Sequence, residues 1–155
     1  MSRRGRSGND RWVTRPVTAR LAAVVNALPL KPHLRVLEVG CGPGVAAREV
    51  ARRLRSGHIL AIDRSAAAIE QLVSGSGEEL ASGRLRARHC AVEDFELGPD
   101  DEPFDLVFAV RVGALDGRHP AAGERALTRI ASATNTTARL FIDGGRPLRE
   151  VHIPR

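Results

Sequence analysis

Three glycines in five positions, Gly40, Gly42 and Gly44, form the segment of this sequence that is best suited to binding chemistry. They follow a run of aliphatic residues that alternates as a buried strand does, and a helical pattern begins near Val45. Because glycine loses the most backbone entropy on folding, such a cluster indicates positive φ angles or a ligand held close to the main chain. Open α/β sheets hold nucleotide-like ligands with this combination of strand, tight turn and helix start.

The spacing of the glycines separates two classes of ligand. A dinucleotide fingerprint, G-x-G-x-x-G, starting at Gly40 requires glycine where Val45 stands, and Pro43 stiffens the loop where that motif bends. The sequence instead reads Glu-x-Gly-x-Gly-x-Gly from Glu38. A dinucleotide site and a glycine-rich turn without a ligand stay open as the alternatives.

A carboxylate at Asp63 is the second signal, and it directly follows a strand predicted over 58–62. An acidic residue at the end of the second strand, about 20 residues beyond the glycine loop, accepts hydrogen bonds from ribose hydroxyls in α/β nucleotide folds. Ser65 is a candidate N-cap for a helix over 66–73. The alternative interpretation is that Asp63 only caps that helix.

The segment from Glu38 to Gly44 resembles the first motif of the class I S-adenosylmethionine-dependent methyltransferases, and Ile62-Asp63-Arg64-Ser65 resembles the second. The resemblance extends over about residues 30–145. It implies that Glu38 helps to hold the amino end of the cofactor and that the glycine backbone approaches it. The implied cofactor contacts are Glu38, Gly40, Cys41, Gly42, Gly44, Asp63, Arg64, Val92, Glu93 and Val110.

Cys90-Ala-Val-Glu-Asp-Phe95 resembles the third motif of that family, in which an acidic residue and backbone amides contact adenine. Ala91 stands at the position where that acid is usual. The resemblance therefore implies adenine recognition by the backbone near Val92, with Glu93 or Asp94 as further contacts. These two acids could equally be solvated or cap the short turn that follows.

A near-continuous apolar run over 104–110 predicts a central parallel strand that is buried on both faces. Arg111, Asp116 and His119 follow it at the predicted ligand end, so we interpret them as candidate substrate contacts. His119 precedes Pro120 and could instead be a helix-start residue. No side chain is identified as a general base, and no metal site is predicted.

The region after this strand also bears on the substrate class. It contains no Asn/Asp-Pro-Pro-aromatic sequence. By resemblance, that sequence is expected in enzymes that methylate the exocyclic amines of nucleic-acid bases. Its absence argues against such bases as the methyl acceptor.

Strand and helix patterns alternate five times, which predicts an α/β fold with right-handed crossovers. We expect a doubly wound, mostly parallel five-stranded sheet in the order 3-2-1-4-5, with helices on both faces, as in the Rossmann-like methyltransferase fold. On the helix predicted over 45–55, the pattern assigns Arg48 to the polar face. Residues 146–155 are too few for the two antiparallel strands that end the family's sheet, so we expect that hairpin to be reduced or missing, with at most one short edge strand.

Length and charge distribution limit the domain organisation. A chain of 155 residues with 43% hydrophobic residues predicts one domain, which we assign to residues 12–155. Residues 1–20 hold six arginines against Asp10, a balance of +5 out of the net +6, so we predict a disordered basic arm over 1–11. This arm either increases solubility or contacts nucleic acid, although few aromatic side chains are present for base stacking.

Cellular context is predicted from what the chain lacks. No apolar run is long enough to cross a membrane, and no apolar segment follows the basic start, so we predict a cytoplasmic protein. The only cysteines, Cys41 and Cys90, fit a reducing compartment. If they end the first and third strands, they are too far apart to form a disulfide.

These observations predict an S-adenosylmethionine-dependent methyltransferase that transfers a methyl group by in-line displacement, with a small molecule as the acceptor. Two alternatives remain at this point. The chain could be a non-catalytic binding or assembly module that pairs as a homodimer, or it could modify RNA or DNA.

Overall fold

The computed structural model describes residues 17–155, so the basic arm predicted over 1–11 lies outside the described residues. The strands are β1 (Arg35–Val39), β2 (His58–Asp63), β3 (Leu85–His89), β4 (Phe104–Ala109), β5 (Thr134–Asp143) and β6 (Leu148–Val151). The helices are α1 (Ala19–Ala27), α2 (Val45–Arg53), α3 (Ala66–Gly75), α4 (Gly77–Ala81) and α5 (Pro120–Ala133). A 3₁₀ turn, Val92–Asp94, follows β3.

The six strands form one sheet in the order β3-β2-β1-β4-β5-β6. β1 pairs in parallel with β2 on one side and with β4 on the other, so that Val36 lies between Ile59 and Leu106. The predicted α/β fold and the order of the first five strands are confirmed. Because the strand order reverses between β1 and β4, a crevice opens at their carboxyl ends.

A sixth strand is the main addition to the predicted five. β6 pairs antiparallel with β5, with Leu140 opposite Val151, and Arg139 donates hydrogen bonds to both carboxylate oxygens of Glu150 at 2.7 and 3.1 Å. The hairpin that we expected to be reduced or missing is thus represented by one short strand. This strand covers the edge that β5 would otherwise expose.

Side chains of the sheet alternate between two apolar layers. Val36 and Phe108 belong to the core formed with α1, α2 and α3, whereas Leu37 and Val107 belong to the core formed with α5 and the 3₁₀ turn. All four are fully buried. β4 is therefore buried on both faces, as its continuous apolar sequence predicts.

The helix α2 departs from its predicted pattern at Arg48. This side chain is only 4% exposed, and its Nη1 donates to the carbonyl oxygen of Pro43 and to Oγ of Ser76, both at 3.0 Å. A Cβ on Gly44 or Gly75 would lie 3.1 or 3.3 Å from the same nitrogen. The prediction of a solvent-facing Arg48 was wrong because the junction of α3 and α4 covers this side of α2.

Two further expectations concern the thiols and the membrane. Cys41 and Cys90 are both free cysteines. None of the helices within residues 17–155 has the length and apolar character that crossing a membrane requires.

Candidate active site

A cleft of about 790 Å³ opens at the carboxyl ends of the parallel strands. Its volume lies within the range of roughly 300–1,000 Å³ that is usual for small-molecule and cofactor sites. Its walls come from the ends of β1 and β2, the segment after β3, the β4–α5 loop and the start of α5. Seven residues singled out from the sequence line it: Gly40, Asp63, Arg64, Val92, Glu93, Arg111 and His119.

The other candidate residues lie beside or beneath the cleft. Glu38 and Cys41 are buried at the end of β1, and Val110 packs against the apolar core on the α2 side. The remaining three, Gly42, Gly44 and Asp116, lie outside the cleft lining. The structure thus brings the glycine loop, the end of β2 and the turn after β3 to one edge of the sheet.

Backbone hydrogen bonds attach the glycine loop to the end of β2. The amides of Gly40 and Cys41 donate to the carbonyl oxygen of Ile62 at 2.9 and 3.0 Å. Asp63 extends this link, because its Oδ2 accepts from the Gly42 amide at 2.9 Å and its Oδ1 accepts from the Ser65 amide at 2.8 Å. A carboxylate has about four acceptor positions, so Asp63 retains capacity for two further donors.

Close packing explains two of the three glycines in the loop. Gly44 has φ +90°, and a Cβ there would lie 2.7 Å from Cγ of Leu72. Gly40 has φ +72°, and a Cβ there would lie 2.6 Å from Cγ2 of Val112, so the β4–α5 loop covers this end of the turn. A Cβ on Gly42 would meet nothing within 4 Å. The loop backbone is therefore accessible at Gly42.

Glu38 is a buried carboxyl group without a complete set of partners. The residue is 3% exposed, and its Oε1 has no hydrogen-bond partner within the described part of the chain. Burial, and then the negative charge of Asp63, raise the pKa of Glu38 to about 8, although Arg48 opposes this shift. A ligand amino group beside Oε1 would satisfy this acceptor, so Glu38 fits the cofactor role that the resemblance implies.

The β4–α5 loop begins with a strained residue. Arg111 has φ +58°, which only glycine and a few polar residues adopt readily. Its amide donates to Oδ1 of Asp143 at 2.9 Å, and Oδ2 of Asp143 accepts from Nη2 of Arg20 at 3.2 Å. Asp143, at the end of β5, therefore connects the substrate side of the cleft to α1.

Sequence reasoning did not assign Asp143 to the site. The signal that could have identified it is an acidic residue at the carboxyl end of a parallel strand, which is the same signal that identified Asp63. It also missed further cleft-lining residues, most of them in the β4–α5 loop and the first turns of α5. These residues are Val39, Val112, Gly113, Ala114, Arg118, Pro120, Ala121, Ala122 and Arg125. Cys90 and Ala91, which belong to the segment that resembles the third motif, also line the cleft.

Asp116 interacts with a neighbour in its own loop. Its Oδ1 and Oδ2 accept from Nε of Arg118 at 3.0 and 2.8 Å, and Oδ1 also accepts from the Arg118 amide at 3.1 Å. The hydrogen bonds from Arg118 lower the pKa of the Asp116 carboxyl group. Asp116 therefore orders the loop around Arg118, and its role as a substrate contact stays a prediction.

Thiol and metal chemistry receive little support from the described residues. Burial raises the pKa of both Cys41 and Cys90, so each thiol is protonated at neutral pH and is a poor nucleophile. Within residues 17–155, no cluster of His, Cys, Asp and Glu is arranged to hold a metal ion.

A family model described as a methyltransferase domain matches residues 36–136, which is more than half of the chain. The chain belongs to the class I S-adenosylmethionine-dependent methyltransferase family. S-adenosylmethionine is the cofactor that this membership indicates. No curated protein sequence matches the chain.

Solved structures share the fold at low sequence identity. A SAM-dependent methyltransferase from Thiobacillus denitrificans, in complex with S-adenosyl-L-homocysteine, is 22% identical with a TM-score of 0.63 over 82% of this chain and 48% of its own. Coclaurine N-methyltransferase, bound to N-methylheliamine and SAH, is 19% identical with a TM-score of 0.62 over 80% and 34%. The [4+2]-cyclase SpnF is 24% identical with a TM-score of 0.63 over 79% and 42%.

The lengths of these proteins differ from that of the present chain. This chain spans between a third and a half of each of the three structures. At identities below 25%, the likeness shows the fold, and a shared fold does not define a shared reaction.

Proposed function

We propose that this protein binds S-adenosylmethionine and methylates a small molecule. The observation that carries the proposal is the convergence of the glycine loop, Asp63 and the Val92–Asp94 turn on one cleft, beside a buried Glu38 oxygen that lacks a partner. These elements come from the ends of three different strands. A glycine-rich turn with a purely structural role would require neither the cleft nor the unsatisfied carboxyl group.

Each implied contact has a physical basis in the site. Glu38 would accept from the cofactor's amino group, and the free lone pairs of Asp63 would accept from the ribose hydroxyls. The backbone near Val92, with Glu93, would contact adenine, and Arg64 lies beside Asp63 in the same wall. At Gly42, where a Cβ would meet nothing within 4 Å, the cofactor could approach the loop backbone. Gly40, Cys41, Gly44 and Val110 would shape the turn and the floor beneath it.

The chemistry asks the protein mainly for orientation. S-adenosylmethionine, when bound, would supply a methyl group activated by its sulfonium for in-line displacement by a lone pair of the acceptor, with S-adenosylhomocysteine as the leaving group. The protein's part is to hold the acceptor in that line and to exclude water. A general base is needed only for an acceptor that arrives protonated. His119, which lines the cleft, would be a candidate base for such an acceptor.

Calorimetric titration with S-adenosylhomocysteine tests cofactor binding. We expect Asp63→Ala to weaken binding about 10- to 150-fold, or roughly 1.5–3 kcal/mol, because charge-assisted hydrogen bonds to ribose are lost. Asp105→Ala is the matched control, since Asp105 also accepts a backbone N–H from a neighbouring strand, that of Arg35 at 2.8 Å, but lies at the opposite end of the sheet.

Three results would contradict the proposal. They are the absence of heat from wild-type protein at about millimolar ligand, unchanged affinity in Asp63→Ala, and an equal loss in both variants. Thermal unfolding of each variant shows whether the site was lost with the fold.

A non-catalytic binding module is the second candidate. The similarity to SpnF, whose name denotes a cyclase, indicates only that this fold does not by itself specify methyl transfer. A stable dimer that binds S-adenosylhomocysteine but shows no turnover on a panel of small-molecule, protein and RNA acceptors would support the module. Salt-dependent RNA or DNA binding that disappears when residues 1–11 are removed would instead support nucleic-acid modification.

A further inference from the structure

The outer wall of the cleft is rich in arginine. Arg111 and Arg118 come from the β4–α5 loop, Arg125 comes from α5, and Arg64 stands at the end of β2. Two carboxylates, Asp63 and Glu93, line the same cleft. Because Arg118 is paired with Asp116, the other three guanidinium groups against the two carboxylates leave an excess of one positive charge.

Three of these arginines have no ion-pair partner among residues 17–155. The side chains of Arg64, Arg111 and Arg125 form neither a salt bridge nor a side-chain hydrogen bond there, whereas Arg118 is paired with Asp116 at 2.8 Å. Residues 1–16 could supply little compensation, because they contain five arginines and one aspartate. In contrast, Arg129, one turn beyond Arg125 on α5, pairs with Glu96 at 2.8 Å.

The start of α5 adds to the positive potential. Pro120, Ala121 and Ala122 form its first turn and line the cleft. The N-cap residue His119 makes no capping hydrogen bond through its side chain to the described residues. In a helix of 14 residues, the N–H groups of the first turn and the helix dipole favour a negative charge at this end.

We propose that the methyl acceptor is a small anion whose carboxylate or phosphate group is bound by Arg111 and Arg125 beside the first turn of α5. The inference rests on the proposed function and specifies the substrate class of the same site. A guanidinium group presents paired N–H donors that match both oxygens of a carboxylate or phosphate. A concave cleft with an excess of one sign of charge also concentrates ligands of the opposite sign.

The size of the site favours a small molecule over a polymer. The arginines line a cleft of about 790 Å³. A nucleic-acid contact would instead require a groove that follows a backbone, with aromatic side chains for stacking, and within residues 17–155 no Phe, Tyr or Trp side chain lines this cleft.

Titration of the S-adenosylhomocysteine-saturated protein with inorganic phosphate, at constant ionic strength, tests the inference. We expect phosphate binding to be saturable, and we expect Arg111→Gln and Arg125→Gln each to weaken it about 5- to 10-fold. This magnitude lies between the contribution of an exposed ion pair and that of a charge-assisted hydrogen bond. Arg55→Gln is the control, because it removes the same charge from an exposed residue outside the cleft. All variants should bind S-adenosylhomocysteine as the wild type does.

The inference is overturned if phosphate binding is not saturable or if Arg55→Gln weakens it equally. It is also overturned if Arg111→Gln or Arg125→Gln loses S-adenosylhomocysteine affinity in parallel, since the recognised anion would then be the cofactor's own carboxylate. If a single-stranded oligonucleotide displaces phosphate at a lower concentration than a small dicarboxylate does, the ligand of this site is a nucleic acid and the inference of a small anion is wrong. Failure of S-adenosylhomocysteine to bind while phosphate still binds would reject the proposed function and leave an anion site.

Discussion

Glu38 is the residue whose environment departs most from that of an ordinary surface carboxyl group. Its side chain is buried at the end of the central strand β1, and one oxygen lacks a partner among the described residues. Burial of an unpaired charge is costly, so the neutral form is favoured in the ligand-free protein. The cationic end of a ligand would reverse this preference. The residue is thus suited to hold a ligand and poorly suited to stabilise the empty fold.

The pH dependence of stability should reveal this residue. Its pKa rises from 4.5 to about 8 on folding, so the folded chain keeps a proton that the unfolded chain has lost between these values. The contribution of neutral Glu38 is therefore complete below pH 4.5 and is lost as the pH rises through about 8. In urea unfolding of ligand-free protein, we expect the free energy of unfolding of Glu38→Gln to rise relative to that of the wild type. The expected rise is up to about 1.4 kcal/mol per pH unit across this window.

The comparison of Glu38→Gln with the wild type cancels the contributions of other titrating groups. Stability curves that run parallel for the two proteins across the window would show that Glu38 is ionised in the folded state.

At the scale of elements, the β1–α2 turn is held from both sides. Asp63, at the end of β2, accepts from the Gly42 amide, and Arg48 of α2 donates to the Pro43 carbonyl oxygen. Leu72 of α3 packs against Gly44 at the end of the turn. The turn is therefore positioned by α2, α3 and β2 together, which preorganises its backbone for a ligand.

Alanine substitutions at Gly42 and Gly44 should separate the cost of backbone strain from the cost of disturbed packing. Both Gly42→Ala and Gly44→Ala place a Cβ at positive φ, which costs about 1–2 kcal/mol of folding free energy. Gly44→Ala also forces the new methyl group against Leu72, which adds about 1–3 kcal/mol. Urea unfolding should therefore show the larger loss for Gly44→Ala. Equal losses would mean that Leu72 yields without cost and that packing does not fix the turn.

At the scale of the whole molecule, the last residues complete the second apolar layer. β6 pairs with β5, and Ile153 beyond it is buried in the core formed with α5. Arg155 donates to the carbonyl oxygens of Ala131, Thr134 and Asn135 around the α5–β5 junction. The segment thus packs on the face of the sheet that α5 covers, near the end of that helix.

Ile153→Ala should measure this contribution. Truncating a buried isoleucine removes apolar contacts and leaves a cavity, so we expect a loss of about 2–4 kcal/mol in the free energy of unfolding. His152→Ala, at the exposed neighbouring position, should stay within about 0.5 kcal/mol of the wild type. If thermal and urea unfolding show equally small losses for both variants, the segment after β6 is not part of the core.

Features that depend on short stretches of chain could be predicted from the sequence. Apolar runs indicated β1, β2, β4 and the second half of β5, and the right-handed crossover rule converted the alternation of strands with helices into the order that the sheet shows. The motif around Gly40 indicated the family, and Asp63 could be placed beside the glycine loop because parallel strands end at one edge. Each of these follows from local patterning or from general chirality.

Features that depend on contacts between distant segments could not be predicted from the sequence and became visible in the folded structure. Arg48 is buried because α3 and α4 cover a face that its own helix marks as polar, and Asp143 reaches Arg111 across 32 residues of sequence. Arg111 and Arg125 line one cleft because the β4–α5 loop and the first turns of α5 both contribute to its wall. The sequence pattern of one element does not specify its neighbours, and it is these neighbours that set burial, charge pairing and the shape of the site.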